Sequence, residues 1–145
     1  CRTTCRPPAA HWRRSLSRHV TDEVTVCDCC GKRNLKVTVA LETEDGDVLH
    51  YGRDCAGAAL YGRKSRKNGE LAYEHAKMVQ RCRDILPKVL ECIAAGETKE
   101  EIYRKIDPRY YVDFGHYADT GEKMPLRIYW NGWSIPGVRV PADQY

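Results

Sequence analysis

The stretch that decides the fold is "VTVCDCCGKRNLKVTVAL", residues 24–41. It places three of the chain's eight cysteines, Cys27, Cys29 and Cys30, within four positions, directly before Gly31. Two cysteines separated by two residues, as Cys27 and Cys30 are, can reach one metal ion from a tight turn. The glycine allows the sharp backbone reversal that such a turn needs. This spacing predicts a metal-binding turn.

The residues after this turn predict a β-hairpin and a short helix. Residues 35–41 are apolar at every second position, which is typical of a half-buried strand. The acidic segment 42–47 favours a tight turn, and residues 48–51 form the predicted return strand. The segment "CAGAALYG" predicts a helix that begins at Cys55, with Asp54 as its N-cap. Because an isolated hairpin is only marginally stable in water, we expect a metal ion to stabilise this one.

The helix start supplies the third predicted metal ligand. Cys55 follows Cys30 by 25 positions, and the N-terminus of a helix favours a thiolate. "CDCCGKRNLKVTVAL" followed by "HYGRDCAGAAL" resembles a treble-clef or zinc-ribbon type of module. The pattern is similar to that of small uncharacterised proteins of actinobacteria and actinophages. The resemblance covers residues 24–60, and it implies a zinc-binding fold without implying an activity.

A fourth ligand is needed, since structural zinc prefers four thiolate or imidazole donors. A treble-clef helix usually offers a ligand three residues after the first, but here that position is Ala58. His50, on the return strand, is the first choice, although it is also compatible with a strand residue that faces water. His75 is the second choice and is also compatible with a satisfied core histidine; a water molecule is a further option. Cys29 is disfavoured because the turn would have to contort, and Asp54 is more simply explained as a helix cap. The predicted Zn2+ ligands are Cys27, Cys30, Cys55 and His50.

The cysteine pattern as a whole indicates the cellular compartment and allows alternatives to a structural zinc site. An even number of cysteines in a short chain can indicate a disulfide framework. Cys82 and Cys92 lie in a helical pattern and are interpreted as buried small hydrophobic residues, so we expect a reducing, cytoplasmic location. Closely spaced cysteines also permit an iron–sulfur cluster, the less favoured alternative. A catalytic zinc site is disfavoured because motifs such as HExxH are absent, so we predict that the protein is not an enzyme.

Basic residues flank the predicted metal module on both sides. The chain has a net charge of +4, and residues 61–68 contain four Lys/Arg and no Asp/Glu. Together these cations can contact phosphates, although two solvated loops would have the same composition. Tyr61, Trp130 and Trp133 can stack on bases or pack against a helix. The predicted nucleic-acid-binding residues are Lys32, Arg33, Arg63, Lys64, Arg66 and Lys67. The alternative function is a protein-interaction adaptor with a purely structural zinc site.

The predicted fold class is α+β, in three segments. Residues 1–21 are interpreted as a disordered basic arm, and because the chain begins with Cys1, one expectation is a reading frame that begins near Val20. Residues 22–62 form the zinc-stabilised hairpin and helix. Residues 63–145 contain a long amphipathic helix from Glu70, with a kink or break at Pro87, and a C-terminal strand pair that packs on it.

Short signals mark the ends of these elements. Gly96 is predicted to cap the long helix, and Thr98 begins a capping-box pattern that starts a short helix. Asn131-Gly132 favours the turn of the C-terminal hairpin. No apolar run approaches the roughly 18 residues that a membrane-spanning helix needs, so no membrane partner is predicted.

Overall fold

A computed structural model describes residues 18–42 and 46–145. Within these residues the chain forms two three-stranded antiparallel sheets and three α-helices, so the predicted mixture of helices and antiparallel strands is confirmed. The chain divides into two compact units, Cys1–Lys77 and Met78–Tyr145. No helix among the described residues is long and apolar enough to cross a membrane.

The first unit contains the predicted hairpin and one strand that was not predicted. Its sheet has the order β1-β2-β3, formed by β1 (Arg18–Thr21), β2 (Thr38–Glu42) and β3 (Val48–Tyr51). The pairing of β2 with β3 confirms the hairpin. Residues 18–21, which the sequence assigned to a disordered arm, instead pair with β2 in the register Val20 to Val39. The rest of that predicted arm, residues 1–17, lies outside the described residues.

One face of this sheet packs on two helices, α1 (Arg53–Tyr61) and the N-terminal part of α2 (Arg66–Ala94). Because side chains alternate along a strand, Val39 and Leu41 of β2 share this face with Tyr51 of β3. They form a buried core with small helical residues and with two of the predicted metal ligands. These helical residues and ligands are Ala56, Ala59, Ala72, Ala76, Cys27 and Cys55.

The start of α1 differs from the prediction. The N-cap is Gly52, without a side-chain hydrogen bond, whereas Asp54 lies within the first helical turn. Helices α1 and α2 cross so closely that a methyl group on Gly57 would lie 2.6 Å from the backbone of Asn68 and Gly69. The carboxylate of Asp54 lies against Gly69 at this crossing, which explains its position without a capping role.

The second unit contains the rest of α2, together with α3 (Lys99–Lys105) and a sheet of order β4-β5-β6. The strands are β4 (Tyr110–His116), β5 (Lys123–Trp130) and β6 (Val138–Val140). The predicted strand pair is β5 with β6, and β4 adds a third strand that the sequence did not predict. Their inner faces form a core with α2 and α3 that includes Val112, Leu126, Ile128 and Ile102.

The predicted helix ends are largely confirmed in this unit. Gly96 has a φ of 76° and its N–H donates to the carbonyl of Ile93. Thr98 and Glu101 form the complete capping box at the start of α3. Helix α2 begins in the first unit, at Arg66, four residues before the predicted start. It continues through Pro87 as one helix of 29 residues, so the predicted alternative of a break at this proline is wrong.

Candidate metal centre

Three cysteine thiols meet in the first unit. The sulfur atoms of Cys27, Cys30 and Cys55 all lie within 4.8 Å of one another, and none of the three is in a disulfide bond. A tetrahedral zinc ion with Zn–S bonds of about 2.3 Å requires sulfur atoms about 3.8 Å apart, so small side-chain adjustments would suffice. The three thiols that the sequence grouped as ligands are thus brought together, and they can hold a metal ion.

Hydrogen bonds fix the turn that carries the first two thiols; we call residues 27–32 the knuckle. The N–H of Gly31 donates to the carbonyl of Cys27 at 2.8 Å, and the N–H of Cys27 donates to the carbonyl of Lys32 at 2.9 Å. Gly31 adopts a φ of 76°, which a residue with a Cβ rarely adopts. Backbone hydrogen bonds therefore close the knuckle.

The knuckle is also attached to the outer edge of β3. The backbone N–H of Asp28 donates to the carbonyl of His50, and the N–H of His50 donates to the Asp28 carboxylate, both at 2.8 Å. The outward-facing N–H and C=O groups of His50 on this edge strand thus both have hydrogen-bond partners. Asp28, which no motif singled out, positions the thiols relative to the sheet.

The third thiol comes from the first turn of α1. A methyl group placed on Gly52, the N-cap, would lie 4.0 Å from the sulfur of Cys27 and 3.4 Å from Leu35. The helix N-terminus therefore adjoins the knuckle. Its partial positive charge favours negatively charged sulfur at Cys55 and at the neighbouring thiols.

The thiols influence one another's protonation. Burial, together with the neighbouring sulfurs of Cys27 and Cys30, raises the pKa of Cys55 to about 12. Burial also acts to raise the pKa of Cys30, but hydrogen bonds from the Lys32 backbone and from the Cys27 and Cys55 thiols together lower it overall. A divalent cation that binds these sulfurs must displace the protons that they carry.

The two histidines proposed for the fourth position are not part of this group of donors. His50 alternates along β3 with Leu49 and Tyr51, which pack in the core that contains Cys27. Its Nδ1 atom is buried and has no hydrogen-bond partner among the described residues. His50 as the fourth ligand stays a prediction.

His75 is held in a different contact. It is 5% exposed, and its Nδ1 lies 3.0 Å from a guanidinium nitrogen of Arg18, which is 2% exposed. The structure thus favours the interpretation of His75 as a core histidine. Cys29, between the two knuckle ligands in sequence, is in a disulfide bond and lies outside the group of three sulfurs.

Some of the predicted basic residues lie next to the metal centre. A cavity of about 240 Å³, which we call the basic cavity, is lined by Lys32, the last residue of the knuckle, and by the N-terminal turn of α1. Two cations that the sequence did not single out, Lys36 and Arg53, also line it. Within the described residues, neither Lys32 nor Lys36 makes an ion pair. The residues that line the basic cavity are Lys32, Leu35, Lys36, Val37, Gly52, Arg53 and Asp54.

The other predicted cations follow the knuckle or lie between the end of α1 and the first turn of α2. Arg33, Arg63 and Lys67 are exposed, and Arg66 forms an exposed ion pair with Glu70 at 3.4 Å. Lys64 is half-buried, with an ammonium group that has no hydrogen-bond partner among the described residues. Arg33 and these four residues do not line the basic cavity.

Two of the three aromatic residues considered for base stacking pack internally. Trp130 is 7% exposed and its ring lies 4.8 Å from that of Tyr110, in the core of the second unit. Tyr61 packs against the core of the first unit. Trp133 is half-buried: it packs against the core of the second unit and also lines a separate cavity.

Comparison of the chain with protein-family models, with curated proteins and with solved structures gives no match.

Proposed function

We propose that this protein is a non-enzymatic zinc-binding protein that binds nucleic acid through cations next to its metal centre. The observation that carries the proposal is the meeting of three sulfur atoms within 4.8 Å, built by a backbone-closed knuckle and a helix N-terminus. Three thiolates favour zinc over hard cations such as Mg2+ and Ca2+, which prefer oxygen ligands. His50 or a water molecule completes the coordination.

The role of the metal in this proposal is structural. Cys27 and Cys55 belong to the buried core of the first unit, so an ion that joins them holds the knuckle, the sheet and α1 together. Structural zinc contributes about 10 kcal/mol or more to the folding of small modules.

The basic cavity supports the nucleic-acid part of the proposal. It places Lys32, Lys36 and Arg53 around one concave surface, and Asp54, the carboxylate in its lining, lies against Gly69. Clustered lysine and arginine side chains attract the phosphates of a nucleic acid and release its counterions. Arg33, Arg63, Lys64, Arg66 and Lys67 extend the cationic surface in the proposal.

Metal content tests the first part of this proposal. We expect one zinc ion per chain in protein purified without added metal, measured by elemental analysis, and none in Cys55→Ser. The control is Cys82→Ser, which removes a buried thiol from the second unit. Full zinc content in Cys55→Ser, or its loss in Cys82→Ser, would show that the ligand set is wrong.

Salt-dependent binding tests the second part. We expect the affinity for a labelled DNA duplex to fall as salt rises, and Lys36→Glu to weaken binding and to reduce the slope of log affinity against log salt by about one. Lys36 is chosen because it is exposed and lies outside the knuckle. Arg104→Glu changes the net charge equally from an exposed position in α3 and should leave binding nearly unchanged. Equal effects of the two variants would discard the basic cavity as the binding site.

A further inference from the structure

The outer face of the sheet in the second unit carries two tyrosine side chains, Tyr111 and Tyr129, that are not part of the hydrophobic core. Along β4 and β5, residues that alternate with core positions face outward, and this places Tyr111 opposite Tyr129 in the strand register. Their ring centroids are 5.7 Å apart, with an angle of 61° between the ring planes. Tyr111 is 56% exposed, which makes it the most exposed large hydrophobic residue among the described residues.

The turn after β5 adds a third ring. Asn131 and Gly132 have φ values of 47° and 80°, and the N–H of Trp133 donates to the carbonyl of Trp130 at 3.1 Å. This tight turn returns Trp133 to the vicinity of the two tyrosines. Together with Gly132 the three rings line a cavity of about 380 Å³, within the size range of small-molecule pockets. We call Tyr111, Tyr129 and Trp133 the aromatic platform.

Cations lie on the same face of the sheet, next to the aromatic platform. Arg127 is two residues before Tyr129 on β5, and it pairs in register with Arg139 of β6. The acidic residue on this face, Asp113, accepts from Lys99 at 3.1 Å and lies 4.0 Å from Arg127. Because Lys99 already balances the Asp113 carboxylate, the two arginines leave this face with excess positive charge.

We infer that the aromatic platform stacks the bases of single-stranded nucleic acid while Arg127 and Arg139 contact its phosphates. This inference rests on the proposed nucleic-acid binding and deepens it by assigning base contacts to the second unit. Aromatic rings on an exposed sheet offer stacking faces that bases of unpaired strands can reach and that bases within a duplex cannot. A neutral glycan or an apolar peptide would also contact the rings, but neither would use the two arginines.

The test compares two strands that have the same phosphates. Full-length protein is titrated against a labelled 12-residue thymidine strand and against an abasic strand of equal length, by fluorescence anisotropy, and the uridine ribonucleotide strand distinguishes RNA from DNA. We expect the wild-type protein to bind the thymidine strand roughly five- to hundred-fold more tightly than the abasic strand, as stacking of one base on an aromatic ring implies. Tyr111→Leu and Trp133→Leu should remove most of this difference, whereas Tyr111→Phe should keep it.

Tyr117→Leu is the matched control. Tyr117 is an exposed tyrosine in the turn between β4 and β5, outside the aromatic platform, so its replacement should leave the preference for bases unchanged. Equal, salt-dependent affinity of the wild-type protein for both strands would overturn the platform while leaving phosphate binding intact. A preference for bases that survives in both leucine variants would also overturn it. Failure of the wild-type protein to bind any of the strands or the duplex would overturn the platform together with the proposed function.

Discussion

A buried pair of basic side chains makes the stability of the first unit depend on pH. Burial, together with the positive charge of Arg18, lowers the pKa of His75 to about 4. The ordinary pKa of histidine is about 6.5. The unfolded chain therefore binds a proton below pH 6.5 that the folded protein accepts only near pH 4. The resulting stabilisation is present above pH 6.5 and is lost as the pH falls to 4.

This shift predicts a loss of about 3 kcal/mol in the free energy of unfolding between pH 6.5 and 4. His75→Gln keeps a polar side chain next to Arg18 but cannot take up a proton. We expect the unfolding free energy of this variant, measured with urea, to fall less over the same interval. Acid also displaces a metal from thiolates, but that effect is common to both proteins and cancels in the comparison. Parallel pH profiles of the two proteins would contradict the assignment.

At the scale of elements, the crossing of α1 and α2 depends on two glycines. A Cβ on Gly57 would lie 2.6 Å from backbone atoms of Asn68 and Gly69, which cannot move without displacing α2. A Cβ on Gly69 would instead first meet the carboxylate of Asp54, which can rotate away. The two positions therefore differ in what an added methyl group must displace.

Gly57→Ala should destabilise the first unit by about 1 to 3 kcal/mol, since overpacking outweighs the better helix propensity of alanine. Gly69→Ala should cost less, because a movable side chain makes its closest contact. Thermal unfolding followed by circular dichroism would give the order of the two midpoints. A midpoint for Gly57→Ala at or above that of the wild-type protein would show that the helices can separate at little cost.

Local signals were readable in the sequence, and pairings between distant segments were not. The spacing of Cys27 and Cys30, the alternation that led to β2 and the capping box at Thr98 each lie within a few residues, and the structure contains all three. The strand β1 has four residues, and it pairs with positions about 20 residues later. Nothing within so short a segment encodes such a partner.

The same reasoning explains which site residues were missed. Lys36 and Arg53 line the same cavity because the start of α1 adjoins the knuckle. That proximity arises only in the folded chain. Tyr111 and Tyr129 become neighbours through the register of β4 with β5. The alternation of Tyr129 with the core residues Ile128 and Trp130 was the one local signal that pointed to an outward-facing ring.

At the scale of the whole molecule, the net positive charge comes from residues 1–17 of the sequence. Residues 18–77 carry ten Lys/Arg and ten Asp/Glu, and residues 78–145 carry the same numbers. The net charge of +4 therefore corresponds to the four arginines of residues 1–17. Because residues 18–77 and residues 78–145 are each neutral overall, attraction of a phosphate to either segment depends on local clusters such as the basic cavity and the arginines beside the aromatic platform. Salt screens and weakens this attraction.

Each unit has a core of its own, and the metal centre belongs to one of them. Cys27 and Cys55 are part of the core of the first unit, whereas the core of the second unit is built from residues of α2, α3 and the strands β4 to β6. In the proposed structural role the ion contributes to the folding of that unit, so its removal with a chelator should reduce amide protection in β2, β3 and α1. Protection in β4 and β5 should change little. Hydrogen exchange followed by mass spectrometry would measure both regions in one sample, and Cys55→Ser without chelator should reproduce the pattern. Equal loss of protection in β4 and β5 would show that the metal stabilises the molecule as one cooperative structure.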